Sequence, residues 1–229
     1  MSRVSFLRHA AFFSPEYAPK PLNVIGCGAM GSHIALYAAK MGFTKFRLWD
    51  MDVVEEHNLP NQAYDVEHVG QLKASALAAV LKRFNPEVEV EVHTSEFTSA
   101  DAALLEGPVV MAVDSMKARS IVLDAAFMNF SVDKIFETRL GFDYGEVNVI
   151  DNLNPSQVKN FKATLFDDSQ VPEGPCNQRI CTTLVGMVSS WTVHTLCDYY
   201  SSKAKSTSWT GAGRKYIFAT REGLTTHTI

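Results

Sequence analysis

Three glycines, Gly26, Gly28 and Gly31, stand as G-x-G-x-x-G within NVIGCGAMGSHIA, residues 23–35. Glycine lets backbone approach a phosphate closely. A helix that starts there adds unpaired N–H groups and the positive end of its dipole. Asp50 follows at the end of the next apolar run, where a carboxylate can accept both hydroxyls of a ribose. Loop and acid together point to a nucleotide, and they suit NAD, FAD or ATP equally. The residues beyond them carry more information. DMDVVEEHNLPNQ, residues 50–62, reads D-x-D-x-V-x-x-x-N-L-x-x-Q. Gly70 and Lys73 come next at the opening of a helical pattern, then Asp114 at the end of an apolar run, with Arg119 behind it.

These residues need elements to hold them. PLNVIG (21–26) and KFRLWD (45–50) read as buried strands, and AMGSHIALYAAKMG between them as a helix packed closely on a sheet and stopped by Gly42. Residues 66–84 carry Val69, Leu72, Ala76, Leu77, Val80 and Leu81 at helical spacing, closed by Asn85-Pro86. VEVEVH (88–93), GPVVMAVD (107–114) and KIFETR (134–139) read as further strands, with a helix over 116–129. This alternation predicts an α/β fold with a doubly wound, Rossmann-like, mostly parallel sheet. After about residue 140 the rhythm changes to a turn and strand in GFDYGEVNVI, which predicts an antiparallel C-terminal extension. A Pro/Gly/acid-rich loop, DDSQVPEGPCNQ, precedes a long apolar helix, ICTTLVGMVSSWTVHTLCDYY. The last stretch, KYIFATREGLTTHTI, reads as a strand, a turn and another strand.

Composition bounds the function. The 229 residues, 46% hydrophobic and 20% charged, suit a globular domain with a large core. A net charge of -4 with scattered basic residues gives no footprint for nucleic acid. No run is long and apolar enough for a membrane span, and the first residues lack a signal peptide's pattern. Cys27, Cys176, Cys181 and Cys197 contain no CxxC pair, so no zinc is expected and free thiols in a reducing cytoplasm are the simplest reading. Cys27, Cys181 and Cys197 read as packing residues. The seven histidines show no ligand spacing. Apolar residues around much of the long helix, with Trp191, Tyr199 and Tyr200, suggest packing on the sheet or across a homodimer.

The order of glycine loop, D-x-D, N-L-x-x-Q, Gly-x-x-Lys and D-x-x-x-x-R over residues 22–119 strongly resembles the ThiF/MoeB/HesA family. Its members are ATP-dependent adenylyltransferases that activate ubiquitin-like and sulfur-carrier proteins. The resemblance implies one domain over 1–229, with an N-terminal arm (1–20), a nucleotide-binding half (21–139) and a partner-binding half (140–229). It implies ATP bound by Gly26, Gly28, Gly31, Asp50, Asn58, Asn61, Gln62 and Lys73. Lys73 acts as a catalytic cation and Asp114 holds Mg²⁺. Arg119 is expected in a structural ion pair. Cys176 beside Arg179 is the candidate thiol for a thioester or persulfide. A carrier protein's C-terminal tail is the expected partner.

Two features depart from the family pattern: Asn61, and the absent pair of CxxC zinc ligands that only some members possess. Asn61 stands where N-L-x-R-Q has arginine, which keeps a donor and loses a charge. Family members can bring an N-terminal arginine across a dimer, but neither Arg3 nor Arg8 lies in an RYxRQ-type opening. Other uses of the same motifs are a dehydratase acting on a modified tRNA nucleoside, a catalytically weak partner subunit and an NAD-dependent oxidoreductase.

Overall fold

The computed structural model describes residues 4–141, 143–170, 181–219 and 223–228. Eight strands form one sheet in the order β3-β2-β1-β4-β5-β6-β7-β8. They are β1 (Leu22–Ile25), β2 (Lys45–Trp49), β3 (Glu89–His93), β4 (Gly107–Met111), β5 (Val132–Leu140), β6 (Tyr144–Ile150), β7 (Arg214–Ala219) and β8 (Gly223–Thr228). The first five run parallel, and β6, β7 and β8 join antiparallel. Strand order reverses between β1 and β4, so a crevice opens beyond their carboxyl ends. The parallel sheet and its antiparallel extension thus follow the sequence reading.

Helices cover both faces: α1 (Ala29–Met41), α2 (Lys73–Phe84), α3 (Met116–Ala126), α4 (Pro155–Lys162) and α5 (Thr182–Ala204). One core packs α1, α2 and α5 on the sheet through Ile34, Ala35, Leu77, Leu81, Val188 and Leu196. The other packs α3 and α4 through Val122, Leu123, Val158 and Phe161. Small residues on α1, with Ala35, Ala38 and Ala39 fully buried, let that helix sit close to its neighbours.

Residues 66–84 are not one helix. Val66–His68 forms a single 3-10 turn, Gly70 takes φ +86°, and Leu72 is extended before α2 begins at Lys73. Only a left-handed glycine lets the chain turn back here, and it carries Lys73 inward. The short helix α4 has no counterpart in the sequence reading. Asn154 caps it, accepting from Ser156 and Gln157 N–H, and Pro155 opens it.

The N-terminal arm folds back on its own chain. Phe13 is fully buried and stacks on Phe43 at 5.0 Å, while the Ser201 hydroxyl donates to the Phe12 carbonyl. A Cβ at Gly42, the C-cap of α1, would meet Pro15 and Phe6, so the arm lies at the end of α1 away from the glycine loop. Phe13→Ala is therefore expected to destabilise the protein by about 3–5 kcal/mol, read as a lower urea midpoint. An unchanged midpoint would mean that the arm does not pack here.

Candidate functional site

The glycine loop connects β1 to α1 at the reversal point. Gly26 has φ +92°, and a Cβ there would stand 2.6 Å from the Ala112 carbonyl oxygen of the β4 exit. A Cβ on Gly31 would lie 1.8 Å from the Gly26 carbonyl oxygen. Both glycines are demanded by packing. Gly28 differs: its φ is −76°, and a Cβ there would meet nothing within 4 Å. It is the N-cap of α1 and no side chain caps that helix, so the first-turn N–H groups face an open cradle that a side chain would fill. The neighbouring helix end is not left open. Ser115 caps α3, and the Asp168 carboxylate accepts from Met116 and Lys117 N–H at 2.7 and 3.1 Å. An anion entering the crevice meets a free helix N-terminus at α1 and a filled one at α3.

Asp50 ties the loop to β2. Its two oxygens accept from Cys27 N–H at 2.7 Å and Asp52 N–H at 2.9 Å. Burial raises its carboxyl above the usual aspartate range, opposed by those two bonds and by the charge of Lys73. Each oxygen keeps a lone pair that a ribose hydroxyl can use. Lys73 is not a surface lysine. It is 9% exposed and its ammonium contacts Asp52 at 2.8 Å, whereas the Asp52 side chain is 57% exposed. Tyr64, which sequence reasoning missed, fixes this geometry. Its buried hydroxyl lies 2.7 Å from the Cys27 carbonyl oxygen and 3.1 Å from that of Lys73, joining the glycine loop to the start of α2. Burial raises its pKa, so the phenol stays a neutral donor.

The segment with Asn58, Asn61 and Gln62 docks on the first turn of α1, where the buried Ser32 hydroxyl accepts Ala63 N–H at 3.0 Å. The Asn58 side-chain oxygen is spent on Glu55 N–H in a capping box, which leaves its amide group. Gln62 carries a buried side-chain oxygen with no protein partner. The Asn61 side chain meets the Thr182 hydroxyl at 2.6 Å, and that hydroxyl lies 2.9 Å from the Pro60 carbonyl oxygen. Thr182 opens α5, so the segment is held by α1 and α5 together. Burial lowers the pKa of His33, which hydrogen-bonds the Asn61 backbone; the imidazole is neutral at pH 7 and does not replace the missing charge.

Asp114 stands exposed beyond the end of β4. Arg119 is buried and ion-paired with the fully buried Glu137, the structural role its motif position suggested. Cys176 lies outside the described residues. Cys27 and Cys197 are buried, and burial raises both thiols. Cys181 is not a core residue: it is partly exposed at the N-cap of α5, its sulfur 2.9 Å from the Thr183 hydroxyl. That contact and the helix N–H groups lower its pKa. The start of helical periodicity at Thr182 would have marked the cap position. Asp65, Glu67 and His68 also come together, but Arg83 pairs with both carboxylates at 2.6 Å, filling the space a cation would need. Among the described residues, no helix is long and apolar enough to cross a membrane.

Each of three curated relatives matches just under half of the chain. It is 34% identical over 109 residues to Adenylyltransferase and sulfurtransferase MOCS3 of Anopheles gambiae, covering 46% of this chain and 25% of that protein. It is 35% identical over 109 residues to the Sulfur carrier protein adenylyltransferase of Thermus thermophilus, covering 46% of this chain and 40% of that protein. With the Ubiquitin-like modifier-activating enzyme 5 of Caenorhabditis elegans it shares 31% over 117 residues, 45% of this chain and 28% of that protein. The matches thus span between a quarter and two-fifths of these curated relatives. Among solved structures, PaaA superposes with a TM-score of 0.69 at 20% identity, covering 94% of this chain and 66% of that one. MccB of E. coli with ATP superposes with a TM-score of 0.70 at 13% identity, covering 93% of this chain and 65% of that one. Both show the same fold. The model of the ThiF family matches residues 21–222, and the chain belongs to that family.

Proposed function

We propose that the chain is an ATP-dependent adenylyltransferase that activates the C-terminal carboxylate of a small ubiquitin-like or sulfur-carrier protein. The observation that carries this reading is buried Lys73, whose ammonium pairs with Asp52 and whose backbone carbonyl is tied through Tyr64 to a glycine loop with an open cradle. A simple nicotinamide dehydrogenase does not require that cation, whereas transfer of an adenylyl group from ATP uses it to offset phosphate charge. The names of the matched relatives support the substrate class.

In this reading Gly26, Gly28 and Gly31 with the start of α1 hold the ATP phosphates, and Asp50 takes the ribose. Asn58, Asn61 and Gln62 orient the phosphates, and Lys73 leaves Asp52 to contact them. The carrier's carboxylate oxygen bonds to the α-phosphorus as the bond from that phosphorus to pyrophosphate breaks, giving an acyl-adenylate. An α-carboxyl with a pKa of about 3.5 is already ionised at neutral pH, so the chain needs no general base. It must supply donors and cations around a crowded anionic transition state. Mg²⁺, held by Asp114, would neutralise phosphate charge when bound. Residues 21–139 serve as the nucleotide-binding half of a single domain and 140–229 shape the path for the carrier's tail. The reading includes a homodimer without zinc in the cytoplasm, where Cys27, Cys181 and Cys197 stay as free thiols.

Thermal shift with ATP and NAD⁺, each with and without Mg²⁺, tests this directly. ATP at a hundred times its Kd adds about 2.7 kcal/mol to stability, and only with Mg²⁺ present. Stabilisation by NAD⁺ alone would overturn the reading. Asn61 favours one second reading, a partner subunit with weak turnover. In that case Asn61→Arg raises pyrophosphate exchange from near zero, whereas in the first reading the wild type already exchanges.

A further inference from the structure

β4 and β5 part company at the crevice. Their last paired residues are Met111 and Glu137, after which β5 continues in register with β6 alone, Thr138 opposite Val147 and Arg139 opposite Glu146. The β4 chain runs on through Ala112 and Val113 to Asp114. On the β1 side it stays anchored, since Ala112 N–H donates to the Ile25 carbonyl. On the β5 side the Val113 carbonyl has lost its strand partner. Arg119 fills the gap: one end of its guanidinium donates to the Val113 carbonyl, and the other to the Thr138 carbonyl at 3.0 Å. The guanidinium thus continues the ladder where the two strands have splayed.

The fork is itself held. Glu137, fully buried, accepts from Arg119, from Arg139 Nε at 2.8 Å and from Asn148 at 2.6 Å. The Arg119 backbone N–H makes the ordinary first-turn helix bond to the Ser115 carbonyl, which is independent of its side chain. Asp114 therefore follows directly on the Val113 carbonyl that the Arg119 guanidinium holds. A lysine could neutralise Glu137, but only a planar guanidinium spans two carbonyls while doing so.

We propose that Arg119, clamped by Glu137, is a positioning residue that sets the width of the crevice and the placement of Asp114; its link to magnesium rests on the adenylyltransferase reading. Arg119→Lys keeps the cation against Glu137 and removes the fork. A double variant, Arg119→Met with Glu137→Gln, removes both charges together, which buried pairs tolerate better than loss of one partner, and keeps an amide oxygen to accept from Arg139 and Asn148. Each is compared with the wild type in hydrogen–deuterium exchange over residues 112–118. Each is also titrated with Mg²⁺ at fixed ATP, read by thermal shift and by pyrophosphate exchange.

Faster hydrogen exchange in that segment is expected, with α1 and α2 unchanged. The Mg²⁺ midpoint should rise by about tenfold or more, as for other groups that orient a metal ligand. An ion pair with only a structural role would lower the melting temperature and leave the Mg²⁺ midpoint alone. That outcome, or unchanged exchange over 112–118 in the folded variants, overturns the proposal. If the lysine variant fails to fold, the double variant decides. If Mg²⁺ and ATP do not stabilise even the wild type, the adenylyltransferase reading falls, and hydrogen exchange decides the positioning role by itself.

Discussion

Lys73→Ala is expected to lower pyrophosphate exchange by about 100- to 1000-fold, the usual loss when one preorganised charge is removed from a transition state. Stability should change little. The partner left behind, Asp52, has a side chain 57% exposed, so water takes over its solvation. The cost is the packing of the lysine stem, about 1 kcal/mol, or roughly 2–4 °C in melting temperature for a chain of this size. Asp114→Asn should give a loss of similar order through a different route: it keeps the shape and removes the charge that would hold Mg²⁺. The two variants separate in a magnesium titration. Raising Mg²⁺ rescues Asp114→Asn in part and leaves Lys73→Ala unmoved. Exchange above a tenth of the wild-type rate in both variants would sink the site.

The glycine loop yields the second large effect, and the property it alters differs by position. Gly31→Ala places a methyl 1.8 Å from the Gly26 carbonyl oxygen, main chain against main chain. Neither side can rotate away, so the loop or α1 must shift, at about 3 kcal/mol or more. A fall of roughly 10 °C in melting temperature should follow. Gly28→Ala meets no neighbouring atom and its φ of −76° is ordinary, but its ψ of −147° lies beyond the extended region that alanine prefers. Its melting temperature should fall by no more than a few degrees, for a backbone strain of about 1 kcal/mol, well short of the loss at Gly31. ATP affinity should nevertheless fall at least tenfold, about 1.4 kcal/mol, because the methyl occupies the cradle. Calorimetry on both variants checks this. Wild-type affinity in Gly28→Ala would show that no phosphate approaches there.

Much of this was legible in the sequence, and the limits have physical causes. The buried parallel strands announce themselves as apolar runs, and the glycine loop marks the reversal point where they open. The stretch 66–84 misled because Val69 and Leu72 continue the helical spacing while both are 37% exposed. Periodicity cannot tell a buried stripe from a coincidence; Gly70 was the better guide. Helix α4 buries only Val158 and Phe161, too few to show a period, although Asn154-Pro155 spelled its start. Asp168 on the α3 N-terminus and Tyr64 between two carbonyls are contacts at long range or of single atoms. Such ties leave no pattern in composition or spacing.

The folded-back arm has a practical consequence for handling the protein. It meets α1 at Gly42, while the glycine loop sits at the other end of a helix of 13 residues, about 20 Å long. Phe6 and Pro15 of the arm therefore lie on the side opposite the crevice. Held to a surface by that side, the protein would leave its glycine loop facing solution.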